Sequence, residues 1–461
     1  MPTALRDWGR RALPSLPPLD RRARWALAII VALGAIARIV WAFQAEEPVE
    51  LRDPVLYLIL SDNLAGGHGY SYGPGIDQGT TAYYPPGYPL LLGGVLWLAR
   101  AVLPVTVTAF TVAIVLNVVL SVATIGLVFV LARRLAGTAA GLVAAALWAA
   151  WPNLVFHTGV VLTETLFLFL FVLMLIVALG DPGAARSPGR ARLVTVGLLF
   201  GACILVRPVS IVAAPMFLIL WWDGLRAAAW RLALVGVATV AVLVPWAVRS
   251  SLAMDAPVAL SLNFGDNLCI GHNPDADGTF GTLAPHCYEA TGLRRPEAET
   301  RRQTENIHRA WNYIRSHPGT TLARTPTKVR VTLDSDADGL HAAEDFGSRP
   351  IMGDGARSVL VALANAFYVA VALAAIVGAV RLVRRPDRGR RGLFLVVVGL
   401  VQLIPPAATF GDPRFKMPMY PTMAVAAAVA LVAGWDRLRG RRQAGEGAVA
   451  EPRPDESLAP V

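Results

Sequence analysis

Long apolar runs separated by short clusters of arginine set the pattern of this chain. The first run covers residues 25–43. Others follow at 88–103, 107–131, 137–157, 164–179, 193–206, 209–222, 232–248, 359–380, 393–408 and 420–435. Runs of about 15–25 residues with almost no charge fit membrane helices better than the one-sided helices of a soluble core. The pattern therefore predicts an all-α integral membrane protein. The first run is too long for the apolar region of a signal peptide, and Ala42-Phe43-Gln44-Ala45 offers no small-x-small cleavage site, so it is expected to stay as a membrane helix.

The arginines decide which runs cross. If all eleven did, Arg133 and Arg134 would fall outside, and every later basic loop would invert. Run 88–103 starts in Pro-Pro-Gly-Tyr-Pro and contains Arg100, which suits a helix lying in the outer interface. With that helix left out, the loops carrying Arg133/Arg134, Arg186/Arg190/Arg192, Arg226/Arg231 and the 381–391 arginines share one side with the basic residues 1–24. The 437–442 cluster joins them, whereas residues 44–106 hold only Arg52 and Arg100. The positive-inside rule then predicts ten spans plus one outer interfacial helix, in a multi-pass plasma-membrane protein with both termini cytoplasmic. The expected regions are a basic cytoplasmic N-terminus (1–24), a membrane core (25–248) that includes an outer loop (44–106), an extracytoplasmic lid domain (249–357), C-terminal membrane helices (358–436) and a disordered cytoplasmic tail (437–461).

Composition agrees, with 55% hydrophobic and 16% charged residues against about 45–50% and 25% in soluble domains. The net charge of +10 is accounted for by the topology, and nucleic acid is not an expected partner. Of the three cysteines, Cys203 lies within a span. Cys269 and Cys287 both fall in the lid, on the oxidising side, and are a candidate disulfide. Trp148, Trp151, Trp221 and Trp222, near span ends, are expected as interface anchors.

The candidate chemistry gathers at the outer leaflet. Asp53 follows the first span, with Tyr57 one helical turn on and Tyr88 in the Tyr-Tyr-Pro-Pro-Gly-Tyr-Pro lead-in to the interfacial helix. Arg38 lies near the outer end of the first span and Glu164 at the outer end of the fourth. Arg207 closes the fifth, and Arg414 and Lys416 stand between the ninth and tenth. An ionised side chain at mid-bilayer costs about 2.5–3.5 kcal/mol on insertion scales. Several on one leaflet therefore imply either snorkelling side chains or a water-accessible cationic pocket. Such a pocket suits a lipid-linked sugar phosphate. Its leaving group needs cations rather than a protonating acid, and the acceptor needs one general base. Asp53 with Arg207, Arg414 and Lys416 supplies that set. Asp334, Asp336, Asp338 and, after Gly339, Asp345 match a calcium-loop spacing except for Asp at the last position, a candidate Ca²⁺ site in the lid. His272 is expected to serve as a plain loop residue, and His68 as a turn residue.

Taken in order along the chain, these segments resemble the GT-C superfamily of polyprenyl-phosphate-sugar glycosyltransferases, the class of lipid A aminoarabinose transferases and protein O-mannosyltransferases. The resemblance is carried by Asp53-Pro54-Val55-Leu56-Tyr57, the Asn63 to Tyr70 turn, Thr80 to Leu92, Thr163-Glu164, Arg207-Pro208, Arg414 to Pro418 and the 263–280 segment Asn-Phe-Gly … Gly-His-Asn-Pro. It implies a GT-C-like fold in which Asp53 is the base, Glu164 a second acid at the donor or acceptor pocket, and Arg207 the phosphate ligand. Arg414, Lys416 and Arg38 would assist. It further implies a polyprenyl-phosphate sugar donor and a glycolipid, polysaccharide or protein acceptor. Leu51-Arg52-Asp53 departs from the adjacent acids of many members, which fits a mechanism requiring no metal cofactor. A transporter or lipid flippase is the alternative, expected to show mid-membrane charges and paired repeats. A catalytically dead lipid-binding relative is another.

Overall fold

A computed structural model describes residues 17–73, 79–180, 188–281, 286–289, 295–385 and 389–449. The expected cytoplasmic N-terminus lies outside these up to residue 16, as does the tail from residue 450. The regular structure among the described residues is helical, apart from two isolated β-bridges. The membrane-side helices are α1 (Arg21–Ala42), α2 (Asp53–Ala65), α3 (Gly87–Val102), α4 (Ala109–Ala136), α5 (Thr138–Ala150), α6 (Pro152–Phe156), α7 (Glu164–Leu179), α8 (Arg190–Val206), α9 (Phe217–Trp221) and α10 (Leu225–Met254). The lid folds as α11 (Phe264–Gly271), α12 (Arg295–Ser316), α13 (Pro318–Asp334) and α14 (Asp338–Asp345). The chain returns through α15 (Asp354–Val383), α16 (Gly389–Leu400), α17 (Ile404–Ala408) and α18 (Tyr420–Val449), with 3₁₀ turns at Pro208–Met216 and Pro413–Met419.

Local sequence explains the breaks. Asp20 caps α1 by accepting from the Ala23 N–H at 2.6 Å. Gly180, at φ 59°, ends α7. Pro152 cannot extend α5, and the chain turns by 59° between Thr138–Ala150 and Pro152–Gly159.

Among the described residues, six helices are long and apolar enough to cross a bilayer, or seven with the bent pair counted as one. Each run expected to span is helical, but Glu164–Leu179 has 16 residues. At 1.5 Å per residue it extends about 24 Å, short of a ~30 Å hydrocarbon core. The apolar helix expected at the interface, α3, is equally short, with Trp97, Leu98 and Val102 exposed on one side and Tyr88, Leu92 and Leu96 buried on the other.

Helix α7 is buried nearly all round, and so is the first half of α18. In contrast α1, α10 and α15 leave Leu33, Ile36, Val237, Val240, Leu373 and Ile376 exposed, the surface expected to face lipid. Close helix contact depends on glycine. A Cβ at Gly378 would sit 1.7 Å from the Ala426 carbonyl oxygen.

Candidate active site

Asp53 opens α2, with Pro54 in its first turn. Proline at this position loses no helical hydrogen bond. The Asp53 carboxylate accepts from the Tyr84 hydroxyl at 2.6 Å and faces the Arg414 guanidinium at 3.5 Å. About a third of it remains open to solvent. The Tyr57 ring packs edge-on against Tyr84 and Tyr88, so the three tyrosines form the wall behind the acid.

Arg414 comes from the 3₁₀ turn after α17. Asp412 caps that turn by accepting from the Arg414 N–H, and its carboxylate also lies 3.3 Å from the Arg414 Nε. Opposite, Arg207 ends α8 where Pro208 forbids continuation, and it donates to Glu164 at the start of α7 at 2.8 Å. That pair is almost wholly buried. Arg207 and Arg414 both lie within 6 Å of the Phe415 ring centre, at 5.8 and 5.9 Å. One aromatic ring thus links the buried ion pair to the half-open acid. Asp53, Glu164, Arg207 and Arg414, far apart in sequence, are brought together.

Two other expected members are not. Arg38 is fully buried and donates to Ser121 Oγ and to the carbonyls of Gly34, Trp148 and Ala149. It closes the C-terminal end of α5 at the proline break, where carbonyls lack helical partners. Lys416, also fully buried, turns away from Asp53. It bonds to the carbonyls of Ser335 and Pro413 and lies 3.3 Å from Asp336. The partners of both are thus helix-end carbonyls, Ser121 and the lid turn, and neither is brought to the Asp53 carboxylate.

The aspartates of the calcium-like spacing do not converge. Asp336 accepts from Trp151 Nε1 at 2.8 Å and from the Tyr420 hydroxyl, and Asp338 meets Asn153 at 2.7 Å and His157 at 2.8 Å. No group of three or more His, Cys, Asp or Glu side chains able to hold a metal occurs among the described residues. The Asp-rich turn is instead a latch that fastens the lid to the bundle. A side chain at Gly339 would meet the His157 ring at 2.8 Å, so only glycine lets the turn sit this close. Burial, partly offset by Lys416, pushes the Asp336 carboxyl up to about 6. Burial would also raise Asp338, but the hydrogen bond and charge of His157 hold it well below the usual carboxylate range. Trp151 is consequently a buried latch residue rather than an interface anchor. Trp148 and Trp221 are buried too, and of the four only Trp222 is exposed.

The lid also grips the loop that carries Tyr84. Glu299 on α12 accepts from the Thr81 hydroxyl and the Ala82 N–H, and Arg249 donates to the Thr81 and Tyr70 carbonyls. Asp266 on α11 accepts from the Tyr83 hydroxyl at 2.6 Å and pairs with Arg302 at 2.7 Å. Sequence reasoning missed Tyr84, Asp266, Glu299, Arg302 and His157. Tyr84 and Asp266 stood in quoted motifs, whereas Glu299, Arg302 and His157 pair across long separations that leave no local signal. A second seam joins the lid to the Arg414 loop. The Gly411 N–H donates to the Gly278 carbonyl, and the Phe280 N–H donates to that of Gly411. A Cβ at Gly411 would lie 2.3 Å from the Lys328 carbonyl oxygen. His272, expected as a plain loop residue, is buried beside this seam against Lys328. Cys269 and Cys287 are joined in a disulfide within the lid.

Residues 93–248 match the family model of the dolichyl-phosphate-mannose-protein mannosyltransferases. No curated protein matches the chain. The fold resembles the Archaeoglobus fulgidus oligosaccharyltransferase tethered to an acceptor peptide, with a TM-score of 0.51 at 16% identity over 95% of this chain. The chain spans about half of that enzyme, 52% of its length. The apo form of the same enzyme gives 0.50 at 16% identity, covering 94% of this chain and 53% of that one. ArnT from Cupriavidus metallidurans bound to undecaprenyl phosphate gives 0.39 at 15% identity, covering 88% and 78%. The helical membrane architecture and the matched segment bear out the resemblance to the GT-C superfamily of membrane glycosyltransferases.

Proposed function

We propose that the chain transfers a sugar from a polyprenyl-phosphate donor to an acceptor hydroxyl on the extracytoplasmic face of the plasma membrane, with inversion at the anomeric carbon. The observation that carries this is the meeting of the half-open Asp53 carboxylate with Arg414, beside the buried Glu164–Arg207 pair. The matched family takes its name from dolichyl-phosphate mannose, a donor of this class.

In the proposed step Asp53 takes the proton of the acceptor hydroxyl. The freed oxygen electron pair forms the new bond to the anomeric carbon. The bond from that carbon to the phosphate oxygen breaks, and its electron pair leaves with the lipid phosphate. Arg414 moves from Asp53 to the charge developing on the phosphate, with Arg207 behind it. Asp53 then loses its proton to water. The Tyr84 hydroxyl holds Asp53 in one orientation throughout. Two guanidiniums supply the positive charge, so the step as written calls for no metal ion. One base and a departing phosphate require a single displacement, hence inversion. The acceptor is a glycolipid, polysaccharide or protein, admitted beneath the lid.

The test is sugar release by the purified protein in lipid, using labelled polyprenyl-phosphate sugars, beside Asp53→Asn. Turnover lost in the variant with donor binding kept supports the proposal and identifies the sugar. Donor binding with negligible turnover in both proteins points to a lipid-binding relative. Failure to bind any donor overturns the proposal and brings transport forward.

A further inference from the structure

The lid holds a second basic cluster that the reaction above does not use. Between α11, the turn after it and the second half of α12 lies an open pocket of about 340 Å³. His272, His286, Arg309, Asn312, Tyr313 and Ser316 line it, and no carboxylate is among its lining residues. Asp275 is at hand, but it pairs with His286 at 2.9 Å.

Positive charge continues beneath the floor. Arg324 donates to the carbonyls of Asn273 and Pro274 and to the Tyr313 hydroxyl. His272 has its Nδ1 3.0 Å from the Leu268 carbonyl, so that nitrogen carries the proton and Nε2 accepts from Lys328 at 3.1 Å. Lys328 is fully buried, and among the described residues no carboxylate pairs with it. A buried ammonium without a counter-charge is costly. The surplus is felt by its neighbours. Burial and the Lys328 charge push His272 down to about 4, and burial with Arg324 pushes Lys328 down to about 8. Arg309 in the lining, with Arg324 and Lys328 beneath it, outweighs the single carboxylate of Asp275, and a net positive concavity concentrates anions.

The position of the pocket is equally informative. Helix α12 also carries Glu299 and Arg302, which hold the loop bearing Tyr83 and Tyr84 beside Asp53. The ten-residue step from Arg302 to Asn312 is about 15 Å along the helix axis, the length of four or five extended residues or a short oligosaccharide.

We propose that this pocket is a subsite for an anionic group, a carboxylate or phosphate, carried by the acceptor at a distance from the hydroxyl that reacts. The word acceptor rests on the transferase reading; the anion site itself does not.

Calorimetric titration of the full-length protein in nanodiscs tests it, with digalacturonate as the charged probe and maltose as the neutral one. The expected result is digalacturonate binding at least about fivefold tighter than maltose, weakening as salt rises. Arg309→Gln should remove that preference. Asn312→Leu, which fills the pocket while leaving its charges, should weaken both sugars without lowering the melting temperature. Equal affinity for the two sugars, or an unchanged preference in Arg309→Gln, overturns the proposal. So does displacement of digalacturonate by undecaprenyl phosphate, which would assign the pocket to the donor. Asp53→Asn separates the two readings. It should bind digalacturonate normally even if no sugar transfer is ever found, whereas transfer to a small neutral alcohol would survive failure of the anion site.

Discussion

Buried arginines at the two ends of the bundle meet different partners. Away from the lid, Arg134 donates to the Ile176 carbonyl, Arg192 to those of Val177 and Ala178, and Arg381 to that of Ala430. Those on α7 are among the last carbonyls of their helix, where a cation completes hydrogen bonds and opposes the helix dipole, whereas that of Ala430 lies within α18. Beneath the lid, Arg207 and Arg414 meet the carboxylates of Glu164 and Asp53. Arg38 shows that location alone does not decide. It sits at the lid end, yet its partners are carbonyls and a serine. An arginine that faces carbonyls has its donors fixed by the fold. One that faces a part-open carboxylate can exchange that partner for a phosphate.

The largest effect expected of this contrast is at Asp53. Asp53→Asn should lower turnover by about 10²–10⁴-fold with the melting temperature nearly unchanged, checked by labelled-sugar transfer beside thermal unfolding. Next, Arg207→Gln should cost about 3–5 kcal/mol of stability by stranding Glu164, and it should also suppress turnover. The double variant with Glu164→Gln should regain most of the stability and none of the turnover. Recovery of both would make the pair purely structural.

Arg38→Leu tests the other side. It leaves helix-end carbonyls unmet at about 1–3 kcal/mol each, so the melting temperature should fall while turnover per folded molecule stays within about twofold. A much larger loss of turnover would erase the distinction between the two kinds of arginine.

The smallest effect is a pH dependence in the latch. The raised Asp336 carboxyl contributes most when protonated, and its contribution is lost as pH rises through about 6. Asp338, held low, contributes above the ordinary carboxylate pKa of about 3.9 and loses that as pH falls. Lys416, His157 and Tyr420 face this pair. Hydrogen-exchange protection at residues 336–345, corrected for the intrinsic rate at each pH, should therefore peak near about pH 4 and fall as pH rises toward about 6. Asp336→Asn should abolish the loosening between about pH 4 and 6 and keep the acid limb. If the variant loosens in the same way, Asp336 is not the group responsible.

Much of this was legible in the sequence because depth in a membrane is written in the order of residues. The distance of Asp53, Glu164, Arg207 and Arg414 from the ends of their apolar runs put all four at one face. What sequence cannot give is the direction each side chain takes around its helix. Arg38 and Lys416 lie at the same depth as the site and point elsewhere, one to a broken helix end and the other to the latch. The Asp-rich turn misled for a related reason. Its spacing fits a calcium loop, but the partners that claim Asp336 and Asp338 lie in α6, its flanks and the last helix, over 80 residues away. The length of α7 was visible from the start; its shortness as a span matters only because Glu164 at its tip can then meet Arg207 inside the bundle.

The latch also has a consequence for how the protein is made. Asp336 is held by Trp151 from early in the chain and by Lys416 and Tyr420 from near its end. On a ribosome the lid emerges before the residues that complete its anchorage. Until the final helix is inserted, the Asp336 carboxylate lacks its cation and its tyrosine donor, and the lid is fastened through Trp151, Asn153, His157 and the Tyr84 loop. The latch is thus completed only when the last helix arrives, and a chain stalled before residue 413 lacks both those anchors and Arg414.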